Sequence, residues 1–99
     1  MKKYIKATIA PYTTLKDWIE QNTGVINDKQ GIVVRDFDNN SRDELPYCTL
    51  FDGSFRDLRL FQGDGNYFDS YDELAEYEVS DVSEDGFGYA LIVSVYYVG

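Results

Sequence analysis

Carboxylate side chains are the most abundant groups in this chain that could carry chemistry, and they are unevenly distributed. Residues 60–99 contain nine acids and no Lys, Arg or His, whereas residues 1–59 contain nine acids and nine bases. The whole formal net charge of −9 therefore belongs to the last two-fifths of the sequence. Charge segregated in this way indicates an electrostatic role for the acidic segment. Its acids are Asp64, Asp69, Asp72, Glu73, Glu76, Glu78, Asp81, Glu84 and Asp85.

The other side-chain types argue against catalysis. The sequence has no His, which removes the commonest general base and metal ligand. Because there is no His, no imidazole can activate Cys48. Cys48 is also the single cysteine, so no internal disulfide forms, as is usual in a reducing cytosol. Neither a P-loop, nor a dinucleotide-binding fingerprint, nor a Gly-x-Ser-x-Gly motif is present. We therefore expect a protein that is not an enzyme and needs no cofactor.

One stretch has the spacing of calcium ligands. Asp36-x-Asp38-x-Asn40 matches the first three ligand positions of an EF-hand loop. The sixth position, where that loop has Gly, is Ser41, and the twelfth, where it has Glu, is Tyr47. The pattern is more typical of a turn rich in Asp and Asn, and we expect no metal site.

Hydropathy and charge also restrict the partners. No apolar run approaches the roughly 18 residues that span a bilayer, and the basic N-terminus lacks the apolar core of a signal peptide. A pI of about 4.2 opposes direct binding to nucleic acid or to an anionic membrane. The lysines near the N-terminus could form a small basic patch, or they could protect an edge strand from aggregation. We expect a cytoplasmic protein whose partners are basic.

The first half of the chain predicts a strand, a helix and a second strand. Residues 3–10 alternate with period two, which is typical of a strand. Thr14 and Asp17 fit the capping box of a helix over 15–22, and Gly24 is a suitable stop. Residues 30–37 predict the next strand.

The second half predicts more strands and a second helix. Strands over 47–51 and 54–62 flank Asp52-Gly53, which is a strong hairpin pattern. Ser70-Tyr71-Asp72-Glu73 is a capping box that predicts a helix over 71–77. Residues 78–82 are compatible with a helix end or a short strand. Residues 88–98 are apolar on both faces, which favours a central strand, or one face covered and the other exposed as a tyrosine surface.

Ninety-nine residues form one domain, residues 1–99, that can bury a core without metals or disulfides. The mixture of helices and strands, with a hairpin among them, predicts an α+β fold. We expect a mainly antiparallel sheet of about five strands with two short helices packed on it. An order in which the first and last strands are neighbours is compatible with the pattern.

The predicted second helix would carry an acidic stripe. Asp69, Asp72, Glu73 and Glu76 stand at i, i+3, i+4 and i+7, and like charges at such spacings cost roughly 0.2–0.5 kcal/mol per pair. The helix dipole favours acids in the first turn, which accounts only for Asp72 and Glu73. A face that served solubility alone would include lysines among the acids.

A row of carboxylates can imitate the phosphates of a nucleic acid, which carry about one charge per 1.7 Å of duplex axis. Tyr67 and Tyr71, within the acidic segment, would add the rigid contact area that binding hot spots use. In composition the chain is similar to phage and plasmid anti-restriction and anti-CRISPR proteins, which implies a basic nuclease or a restriction or CRISPR effector as partner. The alternatives are an acidic scaffold whose face is only solvated, or self-association through the final strand, so that the protein is a monomer or a homodimer.

Overall fold

The computed structural model describes residues 13–36, 48–84 and 89–99. The predicted strand over 3–10 lies outside these residues, as does the turn at 38–41. The described elements are, in chain order, helix α1 (Leu15–Asn22), strand β1 (Gly31–Asp36), strand β2 (Cys48–Ser54), helix α2 (Phe55–Arg59), a 3₁₀ helix (Tyr71–Glu76), strand β3 (Tyr77–Glu84) and strand β4 (Ala90–Tyr97).

Helix α1 confirms the prediction from its capping residues. The Thr14 side chain accepts a hydrogen bond from the Asp17 amide at 3.1 Å, which satisfies a donor that the first turn cannot pair internally. After Asn22 the chain turns through Gly24, whose φ of +86° favours glycine. The apolar side of α1 is fully buried, and Trp18 packs edge-to-face on Phe55 with ring centroids 6.2 Å apart.

The fold class is α+β, and the described strands form a four-stranded sheet in the order β2-β1-β4-β3. β1 pairs antiparallel with β2, and β3 pairs antiparallel with β4, but β1 and β4 run parallel. The sheet is therefore mixed, and the expected mainly antiparallel sheet of about five strands is not matched in detail. The parallel pair arises because the chain passes through α2 and the 3₁₀ helix before it returns to the centre of the sheet. The central position expected for the last strand is confirmed.

The predicted hairpin at Asp52-Gly53 is wrong. Both residues lie within β2, where they pair with Val33 and Ile32 of β1. The predicted strand over 54–62 is wrong as well, because Ser54 caps helix α2 and accepts a hydrogen bond from the Asp57 amide at 3.2 Å. Gly53 has a packing role in β2, since a Cβ there would lie 3.0 Å from the ring of Phe51.

A short extended segment pairs with the other edge of β2. The Asp52 amide donates to the Gly65 carbonyl at 3.0 Å, and the Tyr67 amide donates to the Leu50 carbonyl at 2.9 Å. The two backbones lie so close that a Cβ on Gly65 would stand 2.0 Å from the carbonyl oxygen of Asp52. This contact fixes the start of the acidic segment on the sheet.

The core lies between one face of the sheet and the three helices. Alternate residues of β1 and β4 point to it, as the period of a strand requires. Helix α1 packs on α2, β3 and the 3₁₀ helix, so that it closes the core over the sheet. The large side chains that are fully buried include Leu15, Trp18, Ile19, Ile32, Phe51, Phe55, Leu58, Leu74 and Leu91.

Candidate partner-binding surface

The second predicted helix exists, but it is a 3₁₀ helix over Tyr71–Glu76. Such a helix has 3.0 residues per turn, so side chains three apart stand above one another. Phe68, Tyr71, Leu74 and Tyr77 follow this period and face inward, with only Tyr71 half-buried. The expected Ser70 cap is wrong, since its side chain makes no capping hydrogen bond. Instead, a Glu73 carboxylate oxygen accepts from the Asp69 amide at 2.6 Å.

The period of three divides the expected acidic stripe into two rows. Asp69 and Asp72 form one row and are exposed. Glu73 and Glu76 form the other row and are half-buried. The expectation of a single stripe at α-helical spacing is therefore wrong in its geometry, because the spacing of an α-helix does not apply to this segment.

Strand β3 is the last strand in the order of the described sheet and continues the acidic segment. Its outer edge pairs with the residues before α1, since the Val79 amide donates to the Thr13 carbonyl at 2.9 Å. A β-bulge between Val79 and Asp81 inserts Ser80, whose hydroxyl donates to the Ser94 carbonyl at 3.1 Å. Without a bulge, residues three apart would point to opposite faces of the sheet. With it, Glu78 and Asp81 lie opposite Tyr96 and Ser94, on the face away from the helices.

The acids therefore lie on both sides of β3, two rows on the helical side and two residues on the opposite face. All eight described members of the predicted acidic set are exposed or half-buried. Glu78 accepts a hydrogen bond from the Tyr96 hydroxyl at 2.7 Å, and Asp64 and Glu84 are exposed at either end of the segment. Within the described residues none of these acids forms an ion pair. Asp85 lies outside the described residues.

The two tyrosines expected at the surface differ. Tyr67 is 67% exposed, as a contact residue must be. Tyr71 is half-buried, with its ring edge-to-face on Phe61 at 5.9 Å and the Lys16 ammonium nitrogen 5.4 Å from its centroid. Tyr71 therefore holds the 3₁₀ helix against α1 and the residues that follow α2, in addition to any contact with a partner.

Tyr77 and Tyr97 also lie in the acidic segment, but the sequence singled out only Tyr67 and Tyr71 as contact residues. The two rings are edge-to-face with centroids 5.4 Å apart, and Tyr97 is 54% exposed. The pKa of Tyr77 is raised to about 12, first by burial and then by the negative charges of Glu73, Asp36 and Glu76. The period of three along 68–77 was the available sequence indication that Tyr77 joins the acidic rows.

Three basic side chains, Lys29, Arg56 and Arg59, lie in a basic corner formed by α2 and the loop before β1. Arg59 binds Asp28 with two hydrogen bonds of 3.0 Å, which lowers the pKa of that carboxyl. Arg56 and Lys29 line a shallow open groove beside this pair, together with Ser54 and Asp57. Asp28 thus has an ionic partner within the chain, unlike the described acids around β3.

Within residues 13–36, 48–84 and 89–99, no group of three potential metal-ligating side chains comes together. Among the same residues, no helix is both long and apolar enough to cross a membrane.

Comparisons with known proteins give no relative for this chain. No protein-family model matches the sequence, and neither the curated proteins nor the solved structures include a significant match.

Proposed function

We propose that this protein is a small, non-enzymatic, cytoplasmic inhibitor that occupies the basic nucleic-acid-binding surface of a partner protein. The observation that supports the proposal most strongly is the placement of acids on both sides of strand β3, with no ion pair among them in the described residues. Acids on both sides of one strand suit a groove with basic residues on both walls. The partner would be a nuclease, or a restriction or CRISPR effector.

The energetics of the surface favour a binding role over a structural one. Like charges close together in a folded chain repel, so these acids oppose folding to a small extent. A basic groove would remove that repulsion and would exchange its own counterions for the carboxylates, as it does for phosphates. Binding should therefore be strong at low salt, weaken as salt rises, and be competed by nucleic acid.

The test uses the protein as bait in a bacterial lysate, with two variants of equal charge. The first variant neutralises three acids of the surface: Asp72→Asn, Asp81→Asn and Glu84→Gln. The matched control neutralises three acids outside it: Asp17→Asn, Glu20→Gln and Asp52→Asn. All six side chains are exposed, and each variant changes two Asp and one Glu. Captured proteins are identified at low and at high salt, with and without duplex DNA as competitor.

We expect the wild type and the matched control to capture the same basic nucleic-acid-binding protein at low salt. DNA, high salt and the surface variant should each reduce its recovery at least tenfold. Equal recovery by both variants would contradict the proposal and would favour an acidic scaffold whose face is only solvated.

A further inference from the structure

The basic corner is held together by hydrogen bonds between its two parts. The Phe55 amide donates to the Gln30 carbonyl at 2.8 Å, and the Arg56 amide donates to the Asp28 carbonyl at 3.0 Å. Arg59 adds its two hydrogen bonds to the Asp28 carboxylate. The loop before β1 and helix α2 are therefore fixed to one another, and the groove lies between them. It is open and has a volume of about 640 Å³, which is within the range of small-molecule sites.

Two cations of this groove have no partner within the described chain. The Lys29 ammonium and the Arg56 guanidinium are exposed, and among the described residues neither forms an ion pair or a side-chain hydrogen bond. Asp28 is already engaged, because both of its carboxylate oxygens accept hydrogen bonds from Arg59. Among the described residues that line the groove, Asp57 is the only other acid. The groove thus has two unpaired bases against one unpaired acid, in a chain whose net charge is −9.

The acidic surface is too far away to reverse the sign of this groove. Helix α2 packs on β2, which is first in the sheet order, whereas the acidic surface lies around β3, which is last. Three strand spacings separate β2 from β3, which is about 14 Å. Charges in solvent are largely screened beyond a Debye length of about 8 Å at physiological ionic strength. The groove can therefore attract an anion although the protein as a whole is acidic.

We propose that this groove binds the phosphate group of a small phosphorylated molecule. A phosphate monoester has about two negative charges at neutral pH and three acceptor oxygens, so it can use both unpaired cations at once. The Arg56 guanidinium is a planar fork that can bind two of the oxygens, and the Lys29 ammonium adds a point charge. The Ser54 hydroxyl accepts from the Asp57 amide, and its own proton has no acceptor among the described residues.

A carboxylate would suit the groove less well than a phosphate, because it has one charge and two oxygens and would use fewer of these donors. The phosphate site goes beyond the proposed function. It lies apart from the acidic surface, so each can be tested, and can fail, without the other.

The experiment titrates isotope-labelled protein with inorganic phosphate, at an ionic strength held constant with NaCl, and follows backbone amide shifts by NMR. Lys29→Gln and Arg56→Gln each remove one cation of the groove. Lys16→Gln is a matched control, since Lys16 lies on α1 and does not line the groove. Asp57→Asn removes the unpaired acid and keeps the amide that donates to Ser54. AMP and a single-stranded oligonucleotide are titrated in the same way, which distinguishes a small ligand from a nucleic-acid backbone.

We expect saturable shifts centred on the amides of the residues that line the groove. The dissociation constant for phosphate should rise roughly fivefold in Lys29→Gln and in Arg56→Gln, stay unchanged in Lys16→Gln and fall in Asp57→Asn. Shifts that do not saturate, shifts centred elsewhere, or equal dissociation constants in the groove variants and the control would overturn the site. An oligonucleotide that bound more tightly than AMP would overturn the assignment to a small ligand.

Discussion

The acidic surface around β3 and the basic corner around α2 differ in whether their acids have ionic partners among the described residues. In the basic corner Asp28 is neutralised by Arg59 through two hydrogen bonds of 3.0 Å, and its pKa is lowered. At the acidic surface the pKa of Tyr77 is raised to about 12, first by burial and then by negative charges that include Glu73 and Glu76. A charge that has a partner within the chain stabilises the fold, whereas like charges without such a partner oppose folding to a small extent. Net charge alone therefore does not distinguish the two regions. They differ because, among the described residues, the acids around β3 form no ion pair.

The largest loss of stability is expected from a substitution that disrupts the attachment of the acidic segment to the sheet. Gly65→Ala would place a Cβ 2.0 Å from the Asp52 carbonyl oxygen, so one of the two backbones must move and the hydrogen bond between them is lost. We expect a loss of at least about 2 kcal/mol in the free energy of unfolding, measured by urea denaturation. The control is Gly24→Ala, where a positive φ is strained but nothing lies within 4 Å, and which should cost about 1–2 kcal/mol. A smaller loss for Gly65→Ala than for this control would show that the contact does not hold the segment.

A medium effect tests the environment of Tyr77. Because its pKa is raised from 10.0 to about 12, the folded state keeps this proton where the unfolded chain loses it. The resulting stability is fully present below pH 10 and is lost as the pH rises towards 12. We expect the urea midpoint to fall between pH 9 and pH 11, and to fall less in Tyr77→Phe at the same ionic strength. An equal fall in both proteins would place Tyr77 outside the influence of burial and of the carboxylates.

The smallest effects should have opposite signs in the two regions. Asp28→Asn removes the ion pair with Arg59 and should lower stability slightly at pH 7, because the lowered pKa of Asp28 contributes stability only above its unfolded value. This loss should disappear as the pH falls through the folded pKa of Asp28, and in high salt. Glu76→Gln should instead raise stability at low salt, by roughly 0.2–0.5 kcal/mol for each repulsion removed. The same sign for both variants in chemical denaturation would abolish the contrast between the two regions.

The sequence predicted those elements whose information is local. Helix α1 was predicted from the capping pair Thr14 and Asp17, and in the structure the Asp17 amide donates to the Thr14 hydroxyl. The same pattern in Ser54 and Asp57 begins α2, but the neighbouring Asp52-Gly53 outweighed it and led to a false hairpin. A turn pattern is only a local preference, and pairing of β2 with both β1 and the segment at Gly65 overrides it.

The remaining features depend on distant parts of the chain. The parallel pairing of β1 with β4 joins strands far apart in sequence, and no local pattern encodes it. The bulge at Ser80 places Glu78 and Asp81 on one face, and it depends on pairing with β4. The acidic composition was therefore predictable, while its division into two rows and an opposite face was not.

The central claim is that the acidic surface occupies the nucleic-acid-binding site of the partner. The most direct test measures, by fluorescence anisotropy, the displacement of labelled duplex DNA from a captured partner. The account predicts that stoichiometric wild-type protein and the Asp17, Glu20 and Asp52 control release the DNA. The variant with Asp72, Asp81 and Glu84 neutralised should need at least tenfold more protein for the same release. If the partner retained its DNA with the wild-type protein bound, or if both variants released DNA equally, the acidic surface would not occupy the nucleic-acid-binding site.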